Sequence, residues 1–159
     1  MTQETETVDG ASVRVPPPLV YVAAVGLALL LGWLWPRDPW IGGWLRWVLG
    51  AVSIATGLSL VATAINRFKA TGQDPKPWLP SPEMITTGPY QFTRNPMYLG
   101  LTMVVIGIGH IIGNGWFSIT AVIALLVVQQ LAVVPEEAYL ERKFGDAYRE
   151  YKKRVRRWV

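Results

Sequence analysis

Four long apolar segments constrain this chain more than any other feature of its sequence. They cover residues 18–35, 44–65, 97–113 and 116–134, and Arg46 is the single Lys, Arg, Asp or Glu within them. A helix rises 1.5 Å per residue, so about 17–25 apolar residues cross the roughly 30 Å hydrocarbon core of a bilayer. We therefore predict an all-α integral membrane protein with four transmembrane helices.

The ends of the chain differ from these segments. Residues 1–15 contain three acidic side chains and few large apolar ones, which predicts a disordered tail. They lack the basic start and small-residue cleavage site of a signal peptide, so we expect the first span to remain in the mature protein. Residues 16–159 are then expected to form a single membrane domain.

The distribution of basic residues predicts the orientation. Of the 15 Lys and Arg residues, all but Arg37 and Arg46 lie in the tail, in the 66–97 region or after residue 135. Because basic loops stay in the cytosol, both termini are predicted to be cytosolic, in the inner membrane if the protein is bacterial. This flanking pattern explains the net charge of +4 without a nucleic-acid partner.

The scarcity of metal-binding side chains limits the possible chemistry. The chain has no Cys, which excludes disulfides, thiolate nucleophiles and Cys-based metal sites, and one His, His110. We therefore predict no metal site. His110 lies in the third span, where it is either a proton relay or, as we favour, hydrogen-bonded to a neighbouring helix or to interfacial water.

Two polar regions flank the third and fourth spans. The connection from residue 66 to residue 93 contains five prolines, which indicates either a stiff cover over a site or a plain loop. After Pro135, which we expect to break or kink the helix, apolar residues recur every three or four positions among Lys and Arg. That pattern predicts an amphipathic helix in the membrane interface.

A turn-rich motif precedes the third span. Asn95-Pro96 is typical of a helix start, since Asn can cap free amides and Pro has no N–H to satisfy at the first position. Tyr90, Arg94 and Tyr98 would then gather where unpaired amides and the helix dipole favour a ligand.

This motif also carries a resemblance. Residues 88–100 follow the pattern G-x-Y-x-x-x-R-N-P-x-Y-x-G, and Glu136-Glu137 and F-G-x-x-Y-x-x-Y-x-x-x-V follow at residues 144–155. Together, residues 80–157 resemble integral-membrane methyltransferases, which include isoprenylcysteine carboxyl methyltransferase and the phospholipid N-methyltransferases. The resemblance implies methyl transfer from S-adenosylmethionine to a lipid-like or isoprenoid-like acceptor in the bilayer.

The resemblance also implies site residues. The positions expected to bind the cofactor are Tyr90, Asn95, Pro96, Met97, Tyr98, Glu136 and Glu137. The chemistry agrees, because a sulfonium, an amino group and a ribose diol all favour a nearby carboxylate, and helix amides favour the carboxylate of the methionine part. From the residues alone, the Glu pair is equally consistent with the acidic first turn of a helix.

The catalytic candidates are Arg94 and Glu137. Arg94 is expected to orient an anionic group, or to anchor at lipid headgroups, and Glu137 (or Glu136) is the nearest base if an amine or hydroxyl acceptor must lose a proton. A carboxylate acceptor would need no base. The acceptor is expected to enter from the bilayer between the third and fourth spans.

Sequence differences from the isoprenylcysteine enzymes narrow the choice of methyl acceptor. Those enzymes usually have His at the position of Asn95 and an Arg shortly before the Glu pair, whereas residues 128–135 contain no basic side chain here. The sequence is more similar to the phospholipid N-methyltransferases at this point. Two other interpretations compete: an NADPH-dependent reductase related to sterol reductases, and a non-catalytic membrane scaffold.

Overall fold

The computed structural model describes residues 11, 13 and 15–159. Most of the predicted tail therefore lies outside the described residues. The described part contains helices and no strands. In chain order the α-helices are α1 (Pro17–Leu34), α2 (Leu45–Ala70), α3 (Pro96–Ile112), α4 (Trp116–Val128), α5 (Val134–Phe144) and α6 (Asp146–Arg154). A short 3₁₀ helix, Gly88–Gln91, precedes α3, and a π-helical turn, Gln129–Val133, joins α4 to α5.

Three helices are long and apolar enough to cross a membrane: α1, α2 and the continuous helix Trp116–Phe144. The fourth candidate, α3, is apolar but has 17 residues. Helix α2 continues past the predicted second span, through Arg67 and Lys69 to Ala70, while the bounds of the span itself stay a prediction. Charged residues end an apolar stretch without ending a helix, and basic side chains favour the last turn of a helix.

Of the two outcomes predicted at Pro135, a break does not occur, because the helix is continuous from Trp116 to Phe144, and a kink stays a prediction. A proline removes one amide donor, and its ring collides with the carbonyl four residues earlier. Here the π-helical turn immediately precedes Pro135, with the Val134 amide donating to the Gln129 carbonyl five residues back. Because this wider turn absorbs the conflict, the chain passes from α4 to α5 without a break.

Glycines allow α2 and α3 to pack backbone to backbone. A Cβ atom on Gly57 would lie 2.5 Å from the Gly100 carbonyl oxygen, and one on Gly107 would lie 2.6 Å from the Gly50 carbonyl oxygen. Ser53 of α2 also donates a hydrogen bond of 2.7 Å to a backbone carbonyl of α3. Small residues are the usual way for helices to associate closely in lipid. Gly57 and Ser53 of α2 therefore contribute to this packing.

α1 packs on the opposite side, against α4 and α3. Tyr21 donates a hydrogen bond of 2.9 Å to the Tyr98 carbonyl oxygen in the buried core. Among the described residues, His110 bonds within its own helix, with Nδ1 3.0 Å from the Ile106 carbonyl oxygen, and not to a neighbouring helix; the alternative bond to interfacial water stays a prediction.

The α1–α2 connection and the α3–α4 turn lie together at one end of the bundle. The Gly115 amide donates to the Arg37 carbonyl at 2.7 Å, and the Trp116 indole donates to the Trp35 carbonyl at the same distance. The polar residues around the start of α3 therefore gather at the other end. This separation agrees with the predicted topology, while the cytosolic placement of that end stays a prediction.

Candidate functional site

The two halves of the sequence motif meet in space. The Tyr98 hydroxyl donates a hydrogen bond of 3.3 Å to Glu136 Oε2, and Arg94 Nη1 lies 3.1 Å from Glu137 Oε1. Both acidic residues lie in the first turn of α5, which the continuous helix from Trp116 brings back beside the start of α3. The two segments therefore lie on the same face of the protein.

Asn95 is the N-cap residue of α3, as predicted, but its side chain makes no capping hydrogen bond. Its Nδ2 atom instead donates to the Arg157 carbonyl at 3.0 Å, and the Thr93 hydroxyl donates to the same carbonyl at 3.0 Å. The capping prediction was wrong because the C-terminal segment offers the side chain a competing acceptor. Asn95 therefore ties the start of α3 to the end of the chain.

Glu137 is held by two arginines. Arg157 binds it in a bidentate manner, with Nε 2.9 Å from Oε1 and Nη2 2.8 Å from Oε2. Arg94 approaches Oε1 from the other side, and the side chains of Arg94 and Glu137 are only 10% and 9% exposed. A buried carboxylate needs such partners, since an unpaired buried charge is costly. Glu137 therefore has its charge and both oxygens satisfied within the protein.

Glu136 differs sharply from its neighbour. Among the described residues, its carboxylate has one hydrogen-bond partner, the Tyr98 hydroxyl, and forms no ion pair within 4.0 Å. It lines a cavity, whereas Glu137 does not. Two consecutive acidic residues that looked interchangeable in the sequence thus have different environments, and Glu136 is the one available to a positively charged ligand.

The cavity has a volume of about 50 Å³. Of the residues predicted to form the site, Tyr90, Arg94 and Glu136 line it. The remaining predicted residues do not line it: Asn95, Pro96, Met97, Tyr98 and Glu137. A volume of this size accommodates a water molecule or two, whereas pockets for drug-sized ligands measure about 300–1,000 Å³. A larger ligand therefore requires part of the wall to move.

Tyrosines form much of the remaining wall. Burial raises the pKa of the Tyr148 hydroxyl to about 12 and also raises the pKa values of Tyr90 and Tyr151. All three therefore remain neutral hydroxyls at physiological pH. Tyr151 donates a hydrogen bond of 2.7 Å to the Tyr90 carbonyl, which joins α6 to the 3₁₀ helix. The sequence pattern identified Tyr148 and Tyr151 as an apolar helix face for the membrane interface, but they face the cavity region.

A segment of the proline-rich connection forms the outer wall. Ser81, Met84 and Ile85 line the cavity, and the Ser81 amide donates a hydrogen bond of 3.2 Å to the Tyr139 hydroxyl of α5. The predicted cover over a site is therefore present for these residues. One N–H···O hydrogen bond contributes only about 0.5–1.5 kcal/mol, and Met84 adds apolar packing against Tyr148 and Tyr151.

Two carboxylates, Glu83 and Glu136, and one guanidinium, Arg94, line the cavity, and Glu136 and Arg94 have unsatisfied hydrogen-bonding capacity. Nε and Nη1 of Arg94 are buried and have no hydrogen-bond partner among the described residues, because Nη1 is near Glu137 but not aligned with it. Glu136 accepts only from Tyr98. The arrangement suits a ligand that carries both a positive and a negative group. The described residues contain no group of three His, Asp or Glu side chains that could hold a metal ion.

Comparisons with known proteins agree with the motif. The family model described as phospholipid methyltransferase matches residues 45–147. An uncharacterized protein of Haemophilus influenzae is 43% identical over its full length, which covers 40% of this chain. The protein-S-isoprenylcysteine O-methyltransferase of Schizosaccharomyces pombe is 32% identical over 45% of this chain and 30% of that enzyme. No solved structure matches the chain.

A third relative matches over most of the chain. The methanethiol S-methyltransferase of Pseudomonas deceptionensis is 32% identical, over 89% of this chain and 59% of that enzyme. This chain thus spans less than two thirds of either named enzyme. The family match alone, however, covers more than half of the described chain and includes the first half of the motif and the Glu pair. The resemblance inferred from the motif is confirmed, and the chain belongs to the phospholipid methyltransferase family of membrane proteins.

Proposed function

We propose that this protein transfers a methyl group from S-adenosylmethionine to a lipid-like or other membrane-soluble acceptor. The observation that carries the proposal is Glu136, a carboxylate that lines a cavity and has no cationic partner among the described residues. S-adenosylmethionine brings an electrophilic methyl group on a positively charged sulfur. The family and its named relatives support methyl transfer as the reaction class.

The residues present fit this cofactor. Glu136 would accept from its amino group or ribose, or lie near the sulfonium, and the neutral tyrosine walls would exclude water around it. Arg94 would bind an oxyanion, supplied either by the cofactor or by the acceptor. Tyr98 would act through Glu136 by fixing its orientation. Asn95 and Glu137 would position the neighbouring segments without direct contact.

The acceptor determines whether a base is needed. An amine or hydroxyl must lose a proton, and Glu136 is the base that we propose, since the two oxygens of Glu137 are occupied by arginine. An acceptor carboxylate is already ionised and would need none. In either case the site would accelerate the reaction mainly by holding the acceptor against the methyl group in a water-poor cavity.

We propose a different entry route for the acceptor from the one expected from the sequence. The Tyr98–Glu136 hydrogen bond joins α3 to the helix that continues from α4, on the side where the sequence predicted entry between the third and fourth spans. Phe68 at the end of α2 and Leu140 of α5 both line the cavity. The acceptor would enter between α2 and α5, and the Ser81–Ile85 wall would move outward to admit the cofactor from the cytosol.

Ligand-induced thermal stabilisation of the detergent-solubilised protein tests the cofactor. We expect S-adenosylhomocysteine to raise the unfolding midpoint in a concentration-dependent manner, because a ligand that binds only the folded state stabilises it. NADPH at the same concentrations is the matched alternative. Stabilisation by NADPH alone would overturn the cofactor assignment in favour of a reductase.

Methyl incorporation identifies the acceptor. Membranes that contain the protein are incubated with radiolabelled methyl donor, and membranes that contain the Glu136→Gln variant serve as the control. We expect a labelled lipid or small hydrophobic molecule that is absent from the control. Equal labelling in both would exclude the proposed role of Glu136.

A further inference from the structure

The last residues of the chain reach into both halves of the motif. After α6 ends at Arg154, Val155 adopts an extended backbone conformation and the chain crosses the start of α3. The Arg94 amide donates to the Arg156 carbonyl at 3.0 Å, and Thr93 and Asn95 both donate to the Arg157 carbonyl. On the other side, the Trp158 indole donates a hydrogen bond of 2.7 Å to Gln129.

The side chain of Arg157 competes with Arg94 for one carboxylate. Glu137 can accept a bidentate arginine only once, and Arg157 occupies that geometry at 2.9 and 2.8 Å. Arg94 is left with a single ion-pair approach at 3.1 Å, and its buried Nε and Nη1 atoms have no hydrogen-bond partner among the described residues. The Arg94 side chain is also nine-tenths buried, so bulk water does not satisfy it.

We propose that Arg157 is a positioning residue that keeps Arg94 available to a ligand oxyanion. With Arg157 in place, two guanidinium charges share the one carboxylate of Glu137, and the group of three carries a net positive charge. A carboxylate or phosphate in the cavity would supply the missing negative charge and hydrogen-bond acceptors. Without Arg157, Arg94 can turn to bind both oxygens of Glu137, and it is then no longer available to a ligand in the cavity.

This inference rests on the proposed function for the identity of one possible oxyanion, the carboxylate of the cofactor. The other source is the acceptor, for example a lipid phosphate. Both have the planar or tetrahedral oxygen geometry that a guanidinium binds. The experiment below separates the two sources.

Isothermal titration calorimetry on the full-length protein in detergent is the first measurement. The probes are S-adenosylhomocysteine and its decarboxylated analogue, which lacks the carboxylate but keeps the amine and the nucleoside. If the cofactor supplies the oxyanion, Arg157→Ala lowers the affinity for S-adenosylhomocysteine about tenfold and the affinity for the analogue by less than about twofold. Arg157→Lys keeps the charge without the bidentate geometry and gives an intermediate loss.

The acceptor arm uses a soluble phospholipid, dihexanoylphosphatidylethanolamine, as the probe. If the acceptor supplies the oxyanion, Arg157→Ala leaves S-adenosylhomocysteine binding unchanged and weakens binding of this lipid about tenfold. This arm also keeps the inference testable if the wild-type protein binds no S-adenosylhomocysteine, a result that would reject the proposed cofactor and not the role of Arg157.

Two controls separate positioning from general damage. Arg156→Ala removes the same charge from an exposed neighbouring side chain and should change none of these affinities. In an Arg94→Gln background, Arg157→Ala should add no further loss, since the two residues act through one contact. Equal weakening of both nucleosides by Arg157→Ala, or no change with any probe, would overturn the proposal.

Discussion

Helix α3 lies in two very different environments along its length. Through the span, its glycines contact the glycines of α2 so closely that added methyl groups would collide with backbone oxygens. Around its first turn, the neighbouring groups are polar or charged and belong to α5 and to the C-terminal segment. One helix therefore has a sealed apolar interface and, at its N-terminal end, a polar site that holds a cavity.

The difference shows how a small membrane protein can hold a site without a large core. Close backbone contact with α2 fixes α3, and among the described residues Ser53 donates the one side-chain hydrogen bond between these two helices. The polar end is instead held by directional hydrogen bonds and ion pairs, which leave Glu136 and Arg94 incompletely satisfied. Substitutions in the first region should therefore affect stability, and those at the cavity should affect ligand binding.

Removal of the charge on Glu137 should have the largest effect. Glu137→Gln leaves two arginines without their shared counter-charge at a buried position, and breaking a buried ion pair costs about 3–5 kcal/mol. We expect a large fall in the thermal unfolding midpoint of the detergent-solubilised protein. Glu150→Gln, which breaks an exposed pair with Lys153, is the control and should change stability little. Similar effects of the two variants would show that this network does not hold the polar end.

Glu136→Gln should impair binding more than folding. A hydrogen bond to a charged group contributes about 1.5–3 kcal/mol, so we expect affinity for S-adenosylhomocysteine to fall roughly 10- to 100-fold. Glu141→Gln on the same helix is the matched control, since Glu141 pairs with Arg149 and Lys152 outside the cavity. Calorimetry measures both affinities. A stability loss in Glu136→Gln as large as that in Glu137→Gln would contradict the distinction between the two acids.

Gly57→Ala tests the sealed region. The added Cβ would lie 2.5 Å from the Gly100 carbonyl oxygen, and overpacking of this kind costs about 1–3 kcal/mol. We expect a lower unfolding midpoint with unchanged ligand affinity in the folded fraction. Gly26→Ala in α1 is the control, because nothing lies within 4 Å of its added methyl group. Loss of affinity without loss of stability would mean that this interface contributes to the site directly.

Tyr139→Phe should have the smallest effect. It removes the hydroxyl that accepts a hydrogen bond from the Ser81 amide. The closed position of the outer wall then loses about 0.5–1.5 kcal/mol of stabilisation. We expect S-adenosylhomocysteine to dissociate a few-fold faster in a stopped-flow competition measurement. Thr63→Val, which removes a hydroxyl that bonds only within α2, should leave this rate unchanged. An unchanged rate in Tyr139→Phe would place the opening elsewhere in the wall.

The apolar segments and the motif were predictable because they depend on local properties. The helix starts at Pro17, Pro96 and Trp116 agree with the sequence to within one residue, since apolar length and the position of proline are visible in the chain. The family resemblance also brought the two motif halves together correctly. The role that the resemblance implies for each residue stays a prediction.

The remaining features depend on tertiary contacts. Arg157 is one of eight basic residues after residue 135, and nothing local separates it from Arg154 or Arg156. The difference between Glu136 and Glu137 follows from which neighbours approach each carboxylate in space. Asn95 made no capping bond because a carbonyl from 62 residues later in the chain was the better-placed acceptor.

The π-helical turn ahead of Pro135 determines the directions in which Glu136 and Glu137 point around the helix axis. A residue advances an α-helix by about 100° of rotation, so one additional residue in a turn shifts the phase of everything beyond it by that amount. The five residues Gln129–Val133 thus set which acidic side chain faces Tyr98. If these five residues followed regular α-helical geometry instead, α5 would be rotated by about 100° relative to α4, and Glu136 would no longer face Tyr98.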